Sequence, residues 1–361
     1  MQHWPDQRLL ELLKLEIPII QAPMAGSDSV ALVRSVSSTG ALGSLACALL
    51  SLDGLREAVR AIRHEMTRPF NLNFFCHTME VPDTAATERW KIFLRSHYER
   101  LGLDIEAVAG GRLRLPFNDE MCAVVEEVRP EVVSFHFGLP APDLVERLKT
   151  RGIKILSSAT SVQEARWLES RGCDAIIAQG IEAGGHRAMF LETDVSTQVG
   201  LFALLPQVVD AVSVPVIAAG AIADARGVVA ALALGASGVQ LGTAYLFCPE
   251  ANVSTLYRRA LEQASDNGTA LTNLFSGRPA RGILNRYLME SGPMSDAALP
   301  FPYAATLVAP LRSASEKAGS LDYIQLWAGQ AARLGKSMPA DQFTLKLAAD
   351  VLSRLSAGSS A

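Results

Sequence analysis

What the chain lacks narrows its function before any motif is read. No stretch approaches the roughly 18 uninterrupted apolar residues that a membrane-spanning helix needs, although 49% of the 361 residues are hydrophobic. The opening residues, Met1-Gln-His-Trp-Pro-Asp6, have neither the basic start nor the apolar centre of a secretory signal. The expectation is a cytoplasmic protein without membrane contact. Charge is never concentrated: the formal net charge is -4, the signs alternate, and no basic block tracks a phosphate backbone. Nucleic acid is therefore not an expected partner. The five cysteines (Cys47, Cys76, Cys122, Cys173, Cys248) are odd in number and show no C-x-x-C spacing, which argues against a disulfide framework and a zinc site. They read as small core residues. None of His3, His64, His77 and His97 is paired at i, i+4 with another ligand, and no metal is expected. A dinucleotide fingerprint is missing as well.

What is present is a regular alternation of short apolar runs with amphipathic stretches. Strands are expected over 17–22, 41–46, 69–75, 132–135, 154–157, 174–178, 215–219 and 238–241. Helices are expected over 28–38 behind an Asp28 cap, 53–64, 119–129, 142–151, 161–171, 197–211 and 224–234, with caps within 160–165 and 222–225. An excursion over 76–111 adds a charged helix at 84–101. Strict βα alternation argues a parallel sheet, and eight units argue closure into an α/β (β/α)8 TIM barrel, with a doubly wound open sheet as the alternative. The barrel would occupy 1–247. Residues 248–317, with a helix at 252–265 and a proline-rich stretch, read as a lid-like insertion over the mouth. Residues 318–361, with helices at 322–334 and 340–356, read as packing on the barrel.

In a barrel, function sits at the C-terminal ends of the strands. The most informative end is Ala175-Ile-Ile-Ala-Gln-Gly-Ile-Glu-Ala-Gly-Gly-His-Arg187, where a buried-strand pattern stops at Gln179 and runs into glycines and His186. Glycines admit a flat or anionic ligand close to the backbone, so Gly184 and Gly185 read as a cofactor seat with His186 facing it; the other reading is a tight surface loop with a solvated histidine. Gly220 and Gly242-Thr243, after the last two strands, offer N–H groups and a hydroxyl for a phosphate. A mononucleotide fits this arrangement. Arg278 and Arg281 read either as anion contacts or as a solvated basic turn, His136 either as pocket wall or as a loop tie, and Glu182 as orienting the loop.

At these residues the chain resembles the nitronate monooxygenases, formerly 2-nitropropane dioxygenases. The resemblance rests on Gln21-Ala-Pro-Met-Ala-Gly26, Ser134-Phe-His-Phe-Gly138, Ala159-Thr-Ser-Val-Gln-Glu-Ala165, Gln179-Gly-Ile-Glu-Ala-Gly-Gly-His-Arg187, Ala218-Ala-Gly220 and Gln240-Leu-Gly-Thr243. It departs from the family at Ala221, where a second glycine is usual, and at Ala188. The resemblance implies an FMN-containing barrel that oxidises alkyl nitronates, and by extension nitroalkanes, with molecular oxygen. It implies FMN contacts from Ala22, Pro23, Met24, Asn73, Gln179, Gly184, Gly220, Gln240, Gly242 and Thr243. It makes His186 the catalytic acid or base, with an imidazole near its ordinary pKa of about 6.5. Tyr303, between Pro302 and Ala304 in the lid, is a candidate for the substrate nitro group. A flavin enoyl-thioester reductase, an NADH:quinone reductase and a non-catalytic flavin-binding barrel stay open. So does self-association into a homo-oligomer.

Overall fold

Asn71 and Asn73 alternate with Phe70, Leu72 and Phe74, and this alternation sets one wall of the molecule. The two amides point inward: Asn71 donates to Ser44 (3.0 Å) and Ser134 (2.8 Å), and Asn73 donates to Ser134 (2.9 Å). In the computed structural model, which describes residues 4–358 except Ala109 and Arg112, these contacts cross-link three adjacent strands. The strands are β1 Ile19–Gln21, β2 Gly43–Ala46, β3 Phe70–Phe75, β4 Val132–His136, β5 Lys154–Ala159, β6 Ala175–Gln179, β7 Gly185–His186, β8 Val216–Ala219, β9 Gly238–Leu241, β10 Thr269–Thr272 and β11 Ala280–Ile283. Eight of them form one parallel sheet in the order β1-β9-β8-β6-β5-β4-β3-β2. Pairing of Ile20 with Leu42 brings its two edges together. The fold is a (β/α)8 barrel.

The helices sit where the periodicity puts them, with shifted caps. Ser29, not Asp28, caps Val30–Ser38 by accepting from the Leu32 amide. Asp28 is instead buried, and its carboxylate accepts from the amides of Met24 (2.9 Å) and Ala46 (2.7 Å), fastening the first loop to the end of β2. Ser161 and Asp224 cap the helices after β5 and β8. The helix expected from 197 begins only at Leu201, after a 3-10 turn over Val195–Thr197. Ala340–Gly358 buries Phe343, Leu347 and Val351 in the barrel's main core.

The chain around the mouth differs most from expectation. No α-helix forms over 322–334; only Ala332–Leu334 is a 3-10 turn. Residues 321–330 run instead as an extended strap: Trp327 pairs with Gly282, the Ile283 amide donates to the Leu326 carbonyl, and Gly329 donates to the Thr243 hydroxyl (3.0 Å). Tyr323, Ile324, Leu326 and Ala328 are buried there, a largely two-residue spacing that suits an extended chain. The His186 loop likewise contains a strand, since β7 pairs with β11, and β11 with β10. The stretch beyond 292 ends in the helix Ala304–Lys317, which carries Pro310 inside it.

A second hydrophobic core, called the cover below, is built from two distant pieces of chain. Trp90, Leu94 and Tyr98 of the helix Thr84–Arg100 pack with Leu274, Tyr287, Leu307 and Leu311 in a core separate from the barrel's. Trp90 is fully buried at its centre. We expect Trp90→Ala to destabilise this cover by about 3–5 kcal/mol, the usual cost of truncating a buried aromatic. Urea unfolding followed at the cover and by far-ultraviolet dichroism should then separate into two transitions, with only the first one lowered. A single transition lowered as a whole would show that the two cores unfold as one.

Candidate active site

The strand ends open on one cavity. Beyond β1 stand Ala22, Pro23 and Met24; β3 supplies Asn73; β6 and its loop supply Gln179, Gly184, Gly185 and His186; Gly220 follows β8; and Gln240, Gly242 and Thr243 come from β9 and its end. The structure thus gathers around one cavity every residue that the sequence marks for a cofactor, together with His186. It does not place Tyr303 there. That residue stands at the start of Ala304–Lys317, partly buried against the cover's core. Arg114, Phe75, Gln325 and Trp327 also line the cavity, and sequence reasoning misses all four. A helical reading of 322–334 hides the last two.

The roles of individual groups can be read from their hydrogen bonds. Gln179 faces the cavity, yet its amide is committed to the loop: Oε1 accepts from the Ala188 amide (2.9 Å) and Nε2 donates to the His186 carbonyl (3.1 Å). The same carbonyl faces His136 Nε2 at 3.2 Å, so that nitrogen carries a proton and His136 ties the loop. Fully buried Arg187 donates to the carbonyls of Gly180 (2.6 Å) and Gln179 (2.8 Å). Arg281 donates to Ile181 and Arg278 to Met189, so neither is a solvated turn. Buried Glu164 accepts from Phe190 (2.6 Å) and Leu191 (3.1 Å), and Glu182 accepts from Leu201 (2.9 Å).

His186 is held at both ends. Its backbone is fixed by these contacts, and its Nε2 lies 2.8 Å from the Ser276 hydroxyl, leaving Nδ1 without a partner among the described residues. The ring is surrounded by Phe75, Phe137, Phe301 and Trp327 at 5.4–6.3 Å between ring centres. Burial, then Arg114, His136, Arg278 and His77, hold its pKa well below the ordinary histidine value. The imidazole is neutral near pH 7 and a weaker base than an unperturbed histidine. That differs from the expectation of an ordinary pKa, because the sequence shows neither how far the fold shields the ring from water nor which cations it brings near.

Two backbone positions explain the glycine pattern. At Gly184 a Cβ would come within 2.5 Å of the Gly329 nitrogen and 2.6 Å of the Ala328 carbonyl carbon, so the strap itself requires glycine there. After β8, Gly220 has φ +129 and Ala221 has φ +50, which is the left-handed region. The methyl of Ala221 there costs about 1–2 kcal/mol, a cost that a glycine would not carry.

A closed parallel barrel with its cavity at the C-terminal strand ends, and a half-buried neutral histidine on that wall, is the arrangement of a barrel enzyme. Comparison with known proteins identifies which kind. The chain belongs to the nitronate monooxygenase family, whose family model matches residues 6–350, and is an oxidoreductase. It is 42% identical over 341 residues to the nitronate monooxygenase of Paraburkholderia phytofirmans, covering 94% of this chain and 93% of that one. It is 39% identical over 336 residues to that of Pseudomonas aeruginosa, covering 92% and 95%. The solved nitroalkane oxidase of Streptomyces ansochromogenes superposes with a TM-score of 0.88 at 37% identity, covering 97% of this chain and 99% of that one.

The contact between strap and glycine loop can be tested directly. Gly184→Ala should push the strap off Thr243, and the Gly329 amide, which donates to that hydroxyl, should exchange its proton about tenfold faster, as loss of one hydrogen bond implies. Unchanged protection would show that the strap absorbs the methyl.

A pH dependence of stability is built into the cavity's edge. His77 is buried beside Phe301, with rings 4.6 Å apart, and makes only a weak contact with the Arg114 backbone; neither ring nitrogen reaches hydrogen-bond geometry. Burial and then Arg278 lower its pKa to about 4. A lowered base pKa means that the unfolded chain binds more protons, so its contribution to stability is lost as pH falls from about 6.5 towards 4, by up to about 1.4 kcal/mol per unit. Asp28, pushed up to about 7 by burial, acts in the opposite direction and loses stability as pH rises towards 7. His77→Phe should therefore stabilise the protein more at pH 5 than at pH 7. Equal effects in denaturant titrations at the two values would show that His77 does not titrate on unfolding.

Proposed function

We propose that the protein oxidises alkyl nitronates with molecular oxygen, using FMN, to carbonyl compounds and nitrite. In outline, one nitronate anion and half an equivalent of dioxygen become one carbonyl compound and one nitrite anion. The carbon–nitrogen double bond is replaced by a carbon–oxygen one, and the negative charge leaves on nitrite. The observation that carries the reading is the polar inventory of the cavity wall, taken with the family. Gln240 Oε1 is buried there with no hydrogen-bond donor, an acceptor awaiting a ligand N–H. Beside it a Cβ on Gly242 would meet only Ala22 Cβ at 3.5 Å and Met24 Sδ at 3.8 Å, so the backbone is open to a flat group. Opposed small and amide groups of this kind suit a flavin ring and its phosphate.

Gly220, Gly242 and Thr243 are the groups proposed for the phosphate, and Ala22, Pro23, Met24, Asn73, Gly184, Gly185 and Gln240 for the rest of the cofactor, with Gln179 holding the loop between them. FMN, when bound, supplies electron transfer between substrate and oxygen. The chain's part is to orient and to exclude water: the aromatic ring set around His186 dries the site, and Ser276 fixes the imidazole's orientation. With its pKa depressed, His186 stays neutral and so can accept the α-proton of a neutral nitroalkane, as a weaker base than an ordinary histidine, and can hydrogen-bond to a nitronate.

Cofactor released by heat should run as FMN, and anaerobic nitronate should bleach the yellow protein whereas NADH should not. In air, nitrite should appear in step with oxygen consumption. Recovery of FAD, or bleaching by NADH alone, would overturn the reading. His186→Asn should keep its FMN and lose activity, on neutral nitroalkanes by about 10²–10⁴-fold, the usual worth of a positioned acid or base, and on nitronates by much less. Equal losses on both would remove the base role, and no loss on either would remove His186 from the site.

A further inference from the structure

Arg114 is the one fixed charge among the described residues that line the cavity, and no aspartate or glutamate stands with it on that lining. It belongs to the segment between the helices Thr84–Arg100 and Asp119–Val128. The Phe117 amide donates to the Phe75 carbonyl (2.8 Å), which sets this segment against the end of β3. The guanidinium is partly buried and makes no hydrogen bond or ion pair among the described residues. Its electrostatic surroundings are unhelpful: burial and then Arg312 pull its pKa down. Five N–H donors held in such a place without an acceptor form an incomplete arrangement, since a charge removed from water is stable only when paired.

The missing acceptor is not a cofactor phosphate at the glycine corner. In the ring of strands, β6, β5 and β4 separate β8 from β3 on one side, and β9, β1 and β2 on the other. Gly220, after β8, and Arg114, beside the end of β3, therefore face each other across the mouth. Arg114 also acts on His186 more than any other cation does, which puts its charge at the histidine's side of the cavity. A planar anion with two oxygens on one nitrogen matches the guanidinium fork, which pairs two parallel N–H bonds with two acceptors.

We propose that Arg114 is the substrate's counter-ion and selects the nitronate anion over the neutral nitroalkane; the proposal rests on the nitronate reading above. The absence of any carboxylate among the described lining residues leaves nothing there to repel the anion. Neutral His186 adds a second polar contact without a competing charge.

The experiment uses the FMN-loaded protein, with nitrate as a planar, unreactive anion titrated calorimetrically against chloride at equal ionic strength. Nitrate should bind the wild type saturably and compete with the nitronate. Arg114→Met should weaken nitrate and raise the KM for nitronate, each by about 10- to 100-fold, the range for one charge-assisted hydrogen bond pair. The kcat/KM for the neutral nitroalkane should change less than about threefold. Arg114→Gln should repeat this loss, so that the outcome does not hang on the folding of one variant, and Arg114→Lys should fall between, keeping charge without the fork. Nitrate binding that is absent from the wild type, or the same in all variants, would overturn the proposal, as would equal losses on the two substrates. If the wild type oxidises no nitronate while nitrate still depends on Arg114, the substrate reading falls and the anion site stands.

Discussion

The arrangement of the mouth depends on how residues 179–191 are held by hydrogen bonds to their own backbone. A loop of this length would normally trade those bonds with water. Here Arg187 takes the carbonyls of Gln179 and Gly180, Gln179 takes both sides of the His186–Ala188 stretch, and Glu164 takes the amides of Phe190 and Leu191. Bonds to charged groups contribute about 1.5–3 kcal/mol each, and leaving a buried partner unmade costs a similar amount. The segment is thus fixed in place although only two of its residues past Gln179 are in a strand. The position of the histidine, the fit of the strap against Gly184 and the exclusion of water all follow from that fixation.

The electrostatic character of the site follows from where the carboxylates are engaged. Glu164 and Glu182 bind backbone amides, so the nearby arginines turn to carbonyls: Arg187, Arg278 and Arg281 all donate to the loop. Burial first, and the cations gathered near the imidazoles second, keep those imidazoles neutral. A neutral histidine within a cationic surround is suited to a substrate that brings its own negative charge.

The barrel is legible in the sequence because fully buried parallel strands leave an apolar run of four to six residues and their helices a 3.6-residue repeat. The strand ends are legible because glycine, asparagine and glutamine interrupt those runs at Asn73, Gln179, Gly220 and Gln240. Side-chain-to-backbone ties are not. Asp28 reads as a cap because capping and loop-pinning use the same residue type a position apart, and nothing in the sequence marks Arg187 as buried. The stretch 322–334 mixes Tyr323, Leu326 and Trp327 with alanines, a composition that suits a helix as well as a strap. Pairing with β11, some forty residues earlier, decides between them, and no local pattern records that pairing. Arg114 is silent for the same reason: its surroundings come from β3 and from the cover, not from its neighbours in sequence.

The separation of the two hydrophobic cores has an evolutionary consequence. Barrel and cover have separate main cores, and the seam between them runs through the rings of Phe75, Phe137, Phe301 and Trp327 and a few backbone contacts at Gly184, Gly329 and Thr243. Mutations that reshape the roof away from that seam are therefore little filtered by the packing of the floor. A lineage can explore new substrates by drift in one compartment while the other keeps its strand-end cavity, so the roof is where relatives with different chemistries should have diverged fastest.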